Sequence, residues 1–212
     1  MQRLVRLGQP CTRPFGTLTL YPAAFLMLQR DLHHALRERS LVSHREIADL
    51  ARPLDPEQLV RRPSSGGWSV GEVLEHLIIA EGAYEPVVES VLREARPDAR
   101  APLREWSPSF VGGLLTRALE GPRRIGAPKT IRPGATPRAG VVEKFLAQHS
   151  AFVTRLDAAE SYDWRALTLR SPVVPPLLRP LARMNLGDAF VVSVVHVERH
   201  TRQMERAIAA TR

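Results

Sequence analysis

Four long segments of this chain repeat apolar residues at the spacing of one helical face. The clearest begins at Ser69, which can form a capping box with Glu72, and its valines and leucines then recur every three or four positions to residue 95. The other three cover residues 23–52, 137–159 and 186–210. No segment alternates apolar and polar residues over the length of a strand. The pattern predicts an all-α chain, a four-helix bundle with long crossover connections.

The links between these segments are rich in proline and glycine. Residues 97–136 contain one short predicted helix, at 108–120, and are otherwise expected to be an extended crossover. We also expect the first long helix to be interrupted near residues 40–43, because Ser43 and Glu46 could form a capping box of their own. The chain has no internal repeat.

The first 22 residues lie outside the helical pattern, and we expect them to be a poorly ordered N-terminal extension. Residues 23–212 are then one bundle domain, and a chain that is 44% hydrophobic can build a core of that size. No apolar run reaches the roughly 18 residues of a membrane span. The apolar stretch at residues 15–28 lacks the small-residue cleavage site of a signal peptide. A single cysteine, Cys11, excludes a disulfide framework. From these three observations together we predict a cytoplasmic protein that does not bind membranes.

The net charge of +8 is unevenly distributed. Residues 1–40 and 121–142 together hold eleven basic and two acidic residues, so the rest of the chain is close to neutral. A basic nucleic-acid binder is one interpretation of such a chain, but no nucleic-acid-binding motif accompanies the charge. We therefore expect a small-molecule partner rather than a nucleic acid.

Three histidines are candidate metal ligands. His196 and His200 are four residues apart in the last helical segment and so lie on one side of a helix. This spacing suits two imidazoles on one metal ion, but it also suits a polar stripe, and the pair alone leaves both readings open. His76 lies between Val73 and Leu77 on a face turned to the core, where an unpaired imidazole would cost about 1 to 3 kcal/mol. Three imidazoles from two helices would form a metal site with open coordination positions.

Four stretches of the sequence resemble the DinB-like (DinB/YfiT) superfamily. They are WSVGEVLEHL at 68–77, APKTIRPGATP at 127–137, RSPVVPPLLRPLARMNLGDAF at 170–190 and HVERHTRQ at 196–203. The similarity covers residues 27–208. It implies a four-helix bundle whose metal ion is held by one histidine of the second long helix and two of the last, which fall on His76, His196 and His200.

The resemblance also implies a chemistry, because members of this superfamily include transferases and isomerases that use low-molecular-weight thiols such as bacillithiol or mycothiol. For this chain it implies a divalent zinc, nickel or iron ion that activates a thiol against an electrophile, in a thiol S-transferase or a related hydrolase. The alternative is a non-enzymatic, metal-binding or stress-associated bundle that binds a ligand and whose ion is structural. Bundles of the superfamily often pair, so a homodimer is expected.

Five other residues are further candidates for roles at the predicted site. Basic residues of the crossover could bind the carboxylates of a thiol or could simply form a solvated loop; they are Arg123, Arg124, Lys129 and Arg132. His149 interrupts the apolar stripe of the third long helix. It could orient a metal ligand or carry a proton, or it could be a core histidine bonded to the backbone. Trp68, just before the N-cap, is expected to anchor the start of its helix.

Overall fold

The computed structural model describes residues 27–122, 126–174, 177 and 179–211. Helices dominate these ranges, which confirms the all-α prediction. The six α-helices of the described residues are α1 (Gln29–Ala51), α2 (Pro56–Val60), α3 (Val70–Glu94), α4 (Phe110–Glu120), α5 (Val141–Ala158) and α6 (Leu186–Ala209). The predicted extension, residues 1–22, lies outside the described residues.

Local capping chemistry determines where several helices begin. The Ser69 hydroxyl accepts from the backbone N–H of Glu72 at the start of α3, and the Glu72 carboxylate accepts from the backbone N–H of Ser69. The same reciprocal arrangement joins Asn185 and Asp188 at the start of α6. Each box satisfies backbone donors that a helix N-terminus otherwise leaves unpaired. The predicted start of α3 is confirmed.

Helix α1 runs without a break through residues 40–43, so the predicted interruption is wrong. Ser40 and Ser43 are 1% and 2% exposed and share one helical face with Leu36 and Ile47, at spacings of three and four residues. They are small polar members of the buried stripe rather than a cap.

Two short antiparallel strand pairs join the links to the helices. The first pair is β1 (Met27–Leu28) with β2 (Glu105–Trp106), and the second is β3 (Thr168–Arg170) with β4 (Arg183–Asn185). These strands are not predictable from the sequence, because segments of two or three residues are too short to show alternation. Strand β4 leads directly into α6.

The four long helices pack so that α1 and α3 each contact both α5 and α6, which places α1 and α3 at opposite corners of the bundle. An apolar cluster around Leu77, Phe145 and Met204 gathers the C-terminal halves of α1 and α6 and the N-terminal halves of α3 and α5. Helices α1 and α6 therefore run one way, and α3 and α5 run the other. This antiparallel contact of α3 with α6 brings His76 to the level of His196 and His200. No helix in the described ranges combines the length and apolarity of a membrane span.

Candidate metal centre

The structure brings the three candidate ligands together. One ring nitrogen from each of His76, His196 and His200 lies within 4.8 Å of the others. The ring centroids of the three pairs are 4.6 to 4.9 Å apart. Among the described residues this group contains three imidazoles and no carboxylate or thiol. We call it the three-histidine group.

The spacing of two ring nitrogens suits a shared divalent ion. His76 Nε2 and His196 Nε2 are 3.0 Å apart. Zinc binds imidazole nitrogen at about 2.0 to 2.1 Å, so two ligands at octahedral or tetrahedral angles are separated by about 2.9 to 3.4 Å. The observed separation falls in that interval. It also matches a hydrogen bond between the rings, and metal analysis distinguishes the two.

The outward nitrogens of two rings are bonded to protein. His76 Nδ1 donates to the carbonyl oxygen of Ile131 at 2.6 Å, and His200 Nδ1 donates to Gln203 Oε1 at 2.9 Å. A proton held on Nδ1 leaves Nε2 with its lone pair, so these bonds select the tautomer that can bind a metal.

Neither of these two hydrogen-bond partners was predicted from the sequence. Gln203 carries a usable signal, since it is three residues after His200 and so adjacent to it on α6. Ile131 carries none, because it acts through a backbone carbonyl that any residue has. Its short 3-10 turn, Lys129–Ile131, lies beside α3 only through the tertiary fold.

Burial keeps the three imidazoles neutral. Desolvation lowers the pKa of His196 to about 3, with nearby His76 and Arg199 adding to the effect. Desolvation also holds the pKa of His200 well below its usual value, and it lowers the pKa of His76 against the opposing bond to Ile131. Neutral imidazole is the form that binds metal ions, so the group needs to release no proton at pH 7.

The glutamates nearest His76 on α3 are bonded to arginines. Glu72 Oε2 accepts from Arg62 Nε at 2.8 Å, and Glu75 Oε2 accepts from Arg138 Nε at 2.8 Å. The bond from Arg138 is the leading cause of the lowered pKa of Glu75. These two ion pairs therefore connect α3 to the segments that contain Arg62 and Arg138.

Trp68 covers part of the three-histidine group. Its ring centroid is 4.8 Å from that of His76, at an interplanar angle of 49°, and 6.2 Å from that of His200, at 20°. The side chain is half-buried and packs against the apolar cluster around Leu77. Trp68 packs at the start of α3, as expected of an anchor, and it also contacts two candidate ligands, which the sequence did not indicate.

The hydrogen-bond partners of His149 among the described residues are outside the three-histidine group. It is fully buried on α5, its Nδ1 donates to Glu81 Oε1 at 2.8 Å, and its Nε2 is 3.3 Å from the carbonyl oxygen of Ser40. Its ring also stacks with the rings of Phe145 and Phe152. These contacts match a core histidine rather than a residue that orients a metal ligand.

The basic crossover is described only in part. Lys129 and Arg132 flank Ile131 and are exposed. Arg132 Nε donates to the carbonyl oxygen of Ala127 at 2.9 Å, while Lys129 has no carboxylate within ion-pair distance in the part of the chain that the structure covers. Arg123 and Arg124 lie outside the described residues.

Fold and site together define a class of protein, a helical bundle that gathers three histidines from two of its long helices. The family model of the DinB superfamily matches residues 42–204, and the chain belongs to that superfamily. This confirms the resemblance seen in the sequence, and the matched range contains His76, His196 and His200. No curated protein and no solved structure matches the chain.

Proposed function

We propose that this chain is a metal-dependent enzyme whose divalent zinc, nickel or iron ion is held by His76, His196 and His200. The proposal rests on three neutral imidazoles within 4.8 Å of one another, two of them with Nδ1 bonded to protein. Three protein ligands are typical of catalytic rather than structural sites, because the remaining coordination positions stay open to water or substrate.

The proposed reaction is transfer of a low-molecular-weight thiol to an electrophile. A carbon–sulfur bond forms on the electrophile, the leaving group departs with its electron pair, and the thiol loses its proton. A divalent ion at the three-histidine group would supply Lewis acidity and stabilise a thiolate at neutral pH. In this proposal Lys129 and Arg132, beside Ile131, bind the anionic groups of the thiol. Membership in the DinB superfamily supports this reading.

Elemental analysis of the purified protein tests the metal site. We expect one equivalent of metal in the wild type and loss of that metal in His76→Ala, His196→Ala and His200→Ala. His34→Ala is the matched control, because His34 is an exposed histidine of α1 outside the three-histidine group. A wild type without stoichiometric metal, or folded variants that retain as much metal as the wild type, would disprove the site.

A thiol-transfer assay separates an enzyme from a bundle with a structural ion. The metal-loaded wild type is given a low-molecular-weight thiol and a panel of electrophiles, and His76→Ala provides the background rate. We expect transfer above that background with at least one electrophile. If the fully metal-loaded wild type is no faster than His76→Ala with any electrophile, the non-enzymatic alternative is favoured.

A further inference from the structure

Trp68 differs from the other two tryptophans of the chain. Trp106 and Trp164 are 3% and 0% exposed, and their indole N–H groups donate to Asn185 Oδ1 at 3.1 Å and to the carbonyl oxygen of Ala159 at 2.8 Å. Trp68 is half-buried, and its indole N–H has no hydrogen-bond partner among the described residues. Trp68 Nε1 is not among the buried unpaired polar atoms of the described residues, so this N–H is accessible to water or to a ligand.

Trp68 lies next to the three-histidine group. Its ring lies against His76 and His200, while residues 64–67, which precede it, are exposed. Gly66 and Gly67 adopt φ values of +83° and +113°, which favour glycine, and a Cβ on Gly66 would meet no atom within 4 Å, so the chain just before Trp68 is open to solvent. One part of the ring therefore contacts the three-histidine group and another part is open to solvent.

We propose that Trp68 is a ligand-contacting residue of the three-histidine group. A molecule that binds the open coordination positions lies against the indole, which favours ligands with an aromatic or apolar group next to their metal-binding atoms. The indole N–H is available to an acceptor oxygen of the same ligand. This inference rests on the proposed function, since it requires a metal ion at the three histidines.

Two hydroxamates test the contact directly. Acetohydroxamate and benzohydroxamate share one metal-binding group and differ by a methyl against a phenyl group. Calorimetric titration of zinc-loaded, full-length protein is expected to show about fivefold tighter binding of benzohydroxamate, in line with the strength of aromatic pairs. In Trp68→Leu we expect that preference to fall to within about twofold, with acetohydroxamate affinity nearly unchanged. Phe110→Ala, which removes an 82% exposed aromatic of α4, is the control and should keep the preference.

Intrinsic fluorescence gives a second measurement that does not depend on the leucine variant. Benzohydroxamate should change the tryptophan emission of the loaded wild type. In Trp68→Phe, which retains Trp106 and Trp164, that change should disappear. A change that persists in Trp68→Phe would overturn the inference.

The outcomes separate this inference from the proposed function. A wild type that retains no metal contradicts the proposed function. A loaded wild type that binds both hydroxamates, with a preference that survives in Trp68→Leu, contradicts only the role of Trp68. A loaded wild type that binds neither probe contradicts the open coordination position and the Trp68 contact together.

Discussion

Gln203 Oε1 accepts a hydrogen bond from His200 Nδ1 at 2.9 Å, one turn further along α6. The bond holds the imidazole in the tautomer that leaves Nε2 free, and loss of such a partner usually weakens metal binding about 10- to 100-fold. Gln203→Leu should weaken metal binding by that amount, whereas Gln203→Glu, which keeps an acceptor oxygen, should bind within about threefold of the wild type. Competition with a chromophoric chelator measures both. Equal affinity in the leucine variant would mean that this bond does not tune the ligand.

Acid should destabilise the metal-free protein. The unfolded chain takes up a proton on the His196 imidazole as the pH falls through about 6.5, but the folded chain does so only near pH 3. The unfolded state therefore binds more protons in that window, and the free energy of unfolding falls as the pH falls. We expect a loss of about 1 to 2 kcal/mol between pH 7.5 and pH 5, measured by denaturant titration. His196→Gln should show a smaller loss. If the stability of this variant depends on pH as strongly as that of the wild type, His196 is not the group that takes up the proton on unfolding.

The buried pair of Glu81 and His149 should contribute to stability without contributing to metal binding. His149→Leu leaves the Glu81 carboxylate buried without its 2.8 Å partner, which should cost about 2 to 4 kcal/mol of unfolding free energy. In the double variant Glu81→Leu/His149→Leu no charge is left unpaired, so part of that loss should be recovered. Denaturant titration measures the stabilities, and elemental analysis should find wild-type metal content in both variants. Metal loss in folded His149→Leu would show that His149 does support the three-histidine group.

The helix starts could be predicted because capping is local. Ser69 and Glu72 are three residues apart in sequence and bond to each other's backbone, so the letters alone contain the interaction. The same local rule failed in α1. There Ser43 and Glu46 have the spacing of a cap, but Ser43 is buried on the inner face, and packing overrides the local preference.

The site was predictable only in part, for a related reason. A four-residue spacing places His196 and His200 on one side of a helix, but whether that side meets His76 depends on how α3 and α6 pack. The family resemblance, rather than the spacing, supplied that link. The bond from His76 to the carbonyl of Ile131 joins residues 55 apart through a backbone atom, so no side-chain pattern encodes it.

Two glycines in helices should respond to alanine with opposite signs. A Cβ on Gly187, in the first turn of α6, would overlap the indole nitrogen of Trp106, which is buried and bonded to the N-cap residue Asn185. Gly187→Ala should therefore lower the free energy of unfolding by about 1 to 3 kcal/mol. Gly82, inside α3, has no atom within 4 Å of such a Cβ. Gly82→Ala should raise the free energy of unfolding by about 0.5 to 1 kcal/mol, because alanine loses less backbone entropy in a helix.

Thermal and denaturant unfolding of the two glycine variants, beside the wild type, provide the comparison. Because both substitutions add the same methyl group to a helix, a difference in sign isolates the contact with Trp106 from helix propensity. A stabilised Gly187→Ala would mean that the Trp106 side chain can move away from the added methyl group. The packing of β2 against the first turn of α6 would then be less tight than its geometry indicates.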